Sequence, residues 1–146
     1  MRIFTPDNSP AMANAINRVF APFDLLGLEG AVFSVASENC STYDGGLWNF
    51  AASEDGKFGY WYPADQDTYA VTCRNYYEDP AMPAKAFGAA CTLVALNTLI
   101  WHLHERKVSE DILDVANDLY HALSNWIFDL SEAGQIDGAA IAGFID

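Results

Sequence analysis

Apolar positions recur at helical spacing from the first residues onward. Met12, Ile16, Val19 and Phe20 follow Ser9-Pro10, an expected cap and first-turn proline, and Pro22 closes the segment. Leu28, Ala31, Val32, Val35, Ala36 and Cys40 predict a second helix. The period changes at Gly46. Leu47 to Ala52 and Phe58 to Tyr62 are aromatic-rich runs separated by Ser53-Glu54-Asp55-Gly56, which predicts a hairpin. Tyr69, Val71 and Cys73 alternate with Ala70, Thr72 and Arg74, so a third strand is expected to complete an antiparallel meander.

From Pro83 the helical period returns. Ala86 to Trp101 is apolar on every side except at Thr92, Asn97 and Thr98. This run falls short of the roughly 20 residues that cross a bilayer, which predicts a buried central helix with Arg106 and Lys107 at its C-terminal end. Ser109 is the expected cap of the next helix. Its core face reads Ile112, Val115, Leu119, Ala122, Trp126 and Leu130, and its outer stripe reads Asp111, Asp114, Asp118, His121 and Asn125. Gly134 marks a stop, and residues 137–145 predict a last short helix. The expected fold is α+β, one domain over residues 1–146 with a small three-stranded antiparallel sheet packed against about five helices.

Composition narrows the partners. The 51% hydrophobic content suffices for a core without metal or disulfide support. Twenty acids against seven bases give a net charge of −13, and the bases are scattered, which disfavours direct binding to nucleic acid or anionic membranes. A basic protein surface is the electrostatically favoured partner; the plain alternative is that acidity serves solubility. Cys40, Cys73 and Cys91 are odd in number, widely spaced and without a CxxC, as expected of reduced cytosolic thiols. MRIFTPDNSP lacks the apolar stretch of a signal peptide, so a cytoplasmic location is expected.

Catalytic signatures are not apparent. His102 and His104 are two apart on a helix and point to different sides, His121 has no second ligand at metal spacing, and neither GxSxG nor a phosphate-binding glycine pattern occurs. The reading is of a protein that is not an enzyme and uses no cofactor or metal. Tyr60-Trp61-Tyr62, with Trp48 and Tyr43, could line a small-ligand groove, though such residues more often form the faces of a packed sheet.

Tyr43-Asp44-Gly45-Gly46-Leu47-Trp48-Asn49-Phe50 resembles the YDGGxW-type motif of the ArdB/KlcA antirestriction proteins. Further likeness follows in order. It includes Leu28 to Phe33 before the motif, Gly56-Lys57-Phe58 and Pro63, Asn75-Tyr76-Tyr77-Glu78 before an alanine-rich helix, and Leu119-Tyr120 through Trp126. The resemblance spans about Ser9 to Asp146 and implies an accessory protein of plasmids, phages or other mobile elements. Such a protein would let incoming DNA escape type I restriction, and action through protein contacts is the reading that the resemblance and the acidity together motivate. Two sets of contact residues are therefore candidates. One is the motif itself, Tyr43, Asp44, Gly45, Gly46 and Trp48, where the glycines could equally be turn residues. The other is the acidic stripe of Glu110, Asp111, Asp114 and Asp118, which could equally be a solvated face. An acidic decoy for another nuclease, such as a CRISPR effector, and a small-ligand module on the aromatic sheet are the alternative functions.

Overall fold

The computed structural model describes residues 1–146, the side chains of Asp24 and Leu25 excepted. In chain order it runs β1 (Arg2–Phe4), α1 (Ser9–Phe20), α2 (Leu28–Asn39), β2 (Trp48–Ala52), β3 (Gly59–Pro63), β4 (Thr68–Thr72), β5 (Glu78–Pro83), α3 (Ala84–Glu105), α4 (Glu110–Glu132) and α5 (Gly138–Ile145). The architecture is α+β: five helices, a three-stranded antiparallel sheet and a separate two-stranded hairpin.

The sheet is not the expected meander. Its order is β1-β2-β3, with Phe4 opposite Phe50 and Ala51 opposite Tyr60. The third strand comes from the N-terminus, where three residues carry too little pattern to be read as a strand. The run from Tyr69 does form a strand with alternating burial, but it pairs with β5 and not with β3. Strand β5 went unread because Asp79-Pro80-Ala81 lacks β-branched or aromatic residues. An irregular register between Tyr69 and Val71 accommodates it.

Helix α3 organises the core. It packs against α2, β3, α4 and α5, and eleven of its residues are buried. At 22 residues it is longer than the sequence pattern suggests, and by length and composition alone it could cross a membrane. Yet 67% of its most apolar stretch is covered by the rest of the fold. Its approach to the free edge of β3 depends on two residues. A Cβ at Gly88 would lie 2.2 Å from the Trp61 carbonyl oxygen and 2.3 Å from the Tyr62 Cα, so only glycine fits. One turn later, the buried Thr92 hydroxyl accepts from the Trp61 backbone N–H at 3.2 Å and donates to the Gly88 carbonyl at 2.8 Å. The helix thereby satisfies an edge-strand donor that water cannot reach. Between sheet and α1, Phe20 stacks on Trp61 at 5.0 Å, and Phe50 meets both rings edge-on. Among the described residues the buried Trp61 indole N–H has no hydrogen-bond acceptor, a local cost within the aromatic cluster.

Two cap and face assignments need correction. Ser9 is the first residue of α1 and does not cap it; Asn8 precedes it, and no side-chain cap bond forms. Ser109 does cap α4, accepting from the Ile112 N–H at 3.4 Å. The fully buried residues of α4 are Ala116, Leu123 and Ile127; of the expected face, Leu119, Trp126 and Leu130 pack against the core part-buried. Ile112 and Val115 are 43% and 56% exposed. The apolar positions of this helix span a wide arc, and contact with Phe23 and Leu103 selects its Ala116 side.

Candidate functional site

The segment after α2 carries the YDGGxW sequence. Its backbone leaves the helix with the Cys40 N–H bonded to the Ala36 carbonyl, turns through a Tyr43 N–H bond to the Cys40 carbonyl, and reaches β2 through two glycines. Gly45 and Gly46 have φ of 100° and 99°, angles that side-chain-bearing residues rarely adopt. At Gly46 a second constraint applies, because a Cβ would fall on the Asp65 carboxylate. The turn role of the glycines is therefore real, and contact with a partner would be additional to it.

Two aromatic residues hold this loop to the body. The Trp48 indole N–H donates to the Tyr43 hydroxyl at 2.8 Å, and their rings meet edge-on at 5.9 Å. Trp48, 4% exposed, also packs on Phe33 of α2 at 5.1 Å. Burial pushes the Tyr43 phenol pKa up, aided by the nearby Asp65 and Asp44 carboxylates and opposed by the Trp48 bond, so the phenol stays neutral. Trp48 is thus an anchor inside the fold. Asp44 is exposed, and among the described residues no backbone amide of the turn donates to it.

Facing α2, the loop forms a shallow open groove of about 720 Å³, lined by Phe33, Ser34, Ser37 and Glu38 with Tyr43, Asp44, Gly45 and Gly46. Leu47, next to it in the chain, is 62% exposed. The α2 residues escaped sequence reading, since Ser34, Ser37 and Glu38 look like any polar helix face. Their only signal was position, one to two turns before the motif.

The acidic stripe behaves otherwise. Glu110, Asp111, Asp114 and Asp118 all stand exposed on α4, and none of them lines the loop groove. Both α2 and α4 pack on α3, and the loop groove contains none of the α4 acids, so the two candidate sets do not share that groove. The aromatic set does not form one groove: Tyr60, Trp61 and Trp48 are each no more than 4% exposed and form core, whereas Tyr43 lines the loop groove and Tyr62 a separate one. Among the described residues no group of three His, Cys, Asp or Glu is placed to hold a metal ion. Cys40, Cys73 and Cys91 are free and buried, and burial drives the Cys91 thiol pKa well up, the opposite of an activated nucleophile.

Residues 41–141, well over half of the chain, match the family model described as antirestriction protein. The chain belongs to that family. Within its span lie the YDGGxW loop, both hairpins, α3 and α4. The chain is 30% identical over 82 residues to YubI of Escherichia coli (strain K12), which is named as an antirestriction protein; the match spans 56% of this chain and 57% of that relative. The fold is similar to a solved structure from work on the KlcA and ArdB proteins, with a TM-score of 0.75 and 24% identity. That likeness covers 99% of this chain and 94% of the other. Those proteins are described as having a novel fold and antirestriction activity against type I DNA restriction systems in vivo but not in vitro.

Proposed function

We propose that this member of the antirestriction family relieves type I restriction of incoming plasmid or phage DNA by docking on a protein of the restriction system. In this reading it acts in the cytoplasm as one domain, performs no chemistry and needs no cofactor. The observation that carries the reading is the preformed loop face. It exposes Leu47, Asp44 and Glu38 around two glycines and is pinned from beneath by Trp48. The activity described for the structurally similar KlcA and ArdB proteins supports the choice of type I systems.

Imitation of DNA over the whole surface is a poor account. A net −13 over 7861 Å² is one charge per roughly 600 Å², against about one per 110 Å² for duplex DNA. Recognition by a defined face fits the charge density better. The test is the plating efficiency of unmodified phage on a type I-restricting host with and without the protein. Restored plating is expected, and unrelieved restriction at good expression would overturn the proposal.

One observation favours a second reading, an acidic decoy for another nuclease. Residues 108–146 hold eight acids and no Lys or Arg, and the acids of the α4 stripe are exposed. That reading requires salt-sensitive co-purification with the nuclease, lost when Asp111, Asp114 and Asp118 become Asn.

A further inference from the structure

The β4–β5 hairpin ends in an aromatic residue held where the fold gains nothing from it. Tyr76 has φ +68°, a left-handed backbone that side-chain-bearing residues other than Asn and Asp seldom adopt, and its side chain is 94% exposed. Folding gains no burial from this ring, and a glycine or asparagine would fit the turn with less strain.

The tip around it is held by a dense set of hydrogen bonds. The Cys73 N–H donates to the Tyr77 carbonyl at 2.9 Å, and the Tyr76 N–H to the Cys73 carbonyl at 3.0 Å. Asn75 accepts from the Tyr77 N–H at 3.0 Å while its amide donates to the Gly143 and Asp146 carbonyls of the C-terminal segment, at 3.0 and 2.7 Å. Tyr77, the neighbouring ring, lies against Gly143 and donates to Asp79 at 3.2 Å. One tyrosine of the pair thus secures the hairpin, and the other projects from it.

The tip is also continuous with the loop face. A cleft of about 300 Å³ beside Arg74 and Asn75 is lined by Glu38, and the same Glu38 lines the groove of the YDGGxW loop. Apart from Arg74, the charged side chains of these two grooves are the acids Glu38, Asp44 and Asp146. An exposed aromatic on a hydrogen-bonded support, beside an acidic surface, has the composition of an interface anchor.

We infer that Tyr76 is the projecting anchor of one docking face that runs from the hairpin tip across Glu38 to the YDGGxW loop, and that its partner is a basic protein surface with an apolar recess for the ring. The inference rests on the proposed antirestriction reading and names the surface through which it works.

The test compares wild type, Y76N, Y76A and Y76F in the phage-plating assay, with expression matched by immunoblot and Tm measured on each purified protein. Asn suits the left-handed turn, so Y76N is expected to melt at or above the wild-type Tm while losing at least about tenfold of the restriction relief, the loss of one aromatic anchor. Y76A should lose relief likewise, and Y76F, which keeps the ring, should retain it. Undiminished relief by Y76N and Y76A would overturn the inference while leaving the antirestriction reading intact. A fall in the Tm of Y76N would mark Tyr76 as a structural residue and overturn it too. Absence of relief by wild type would instead remove the functional reading, and this inference with it.

Discussion

The α3–β3 contact and the loop–hairpin rim use unusual residues for opposite ends. At the contact, Gly88 and Thr92 are explained atom by atom: one lets two backbones approach, the other satisfies a buried donor. At the rim, Gly45 has open space where a Cβ would lie, Leu47 is mostly exposed, and Tyr76 sits in a left-handed turn with its ring in solvent. Local rules account for the shape of the rim but not for its choice of side chains. Gly45 is explained by its backbone angle, while exposed Leu47 and Tyr76 are the residues that the proposed docking face would use.

That contrast can be broken experimentally, and the core should respond most. Gly88→Ala drives a Cβ into the β3 backbone and should cost about 3 kcal/mol, measured by urea unfolding. A loss below 1 kcal/mol would mean that α3 can slide off the strand edge. Thr92→Val keeps the shape but leaves the Trp61 N–H orphaned, for about 2 kcal/mol in the same assay. Alkaline pH should reveal the core as well. Burial raises the Cys91 thiol and the Tyr60 phenol. Because the folded pKa values are raised, the stabilisation is complete below the unfolded values and is lost as pH rises beyond about 9. The slope approaches 1.4 kcal/mol per pH unit for each group. A flat stability profile between pH 8 and 10.5 would contradict the burial of both groups.

The rim should respond less in stability. Gly46→Ala forces an unfavourable φ and displaces the Asp65 side chain, for about 1 kcal/mol. Adding Asp65→Ala should recover the steric part alone, so full recovery would argue that the backbone angle is not costly. The smallest effect is expected for the joint change of Asp111, Asp114 and Asp118 to Asn. It relieves like-charge repulsion on one helix face but gives up the favourable place of Asp111 in the first turn, so stability should change by no more than a few tenths of a kcal/mol. Restriction relief in that triple variant separates the two readings of α4. Retention leaves the stripe as a solvated face, and loss makes it a second contact surface.

Much of this was legible in the amino-acid order, wherever the signal is local. Helices α1, α2 and α4, the Ser53–Gly56 hairpin loop, the positive-φ glycines Gly45 and Gly46 and the Gly134 stop all follow from periodicity and the steric freedom of glycine. The YDGGxW loop was visible as a motif, and its glycines adopt the expected angles. Tyr76 stood within a recognised run, yet its exposure and its strain were invisible, because neither is a property of residue type. Nor could the sequence show that Trp48 is an anchor inside the fold while Leu47 beside it is exposed.

What residue order determined by itself is the set of helical and extended segments, the acidity, and the family likeness, since each depends on neighbours within a few positions. Tertiary structure decided the rest. It set β1 into the sheet and β4 against β5, turned α4 onto its Ala116 face, and joined the hairpin tip to the loop groove through Glu38. Those choices depend on which apolar surfaces and unpaired backbone groups meet across long stretches of chain. Only the assembled core brings such groups together.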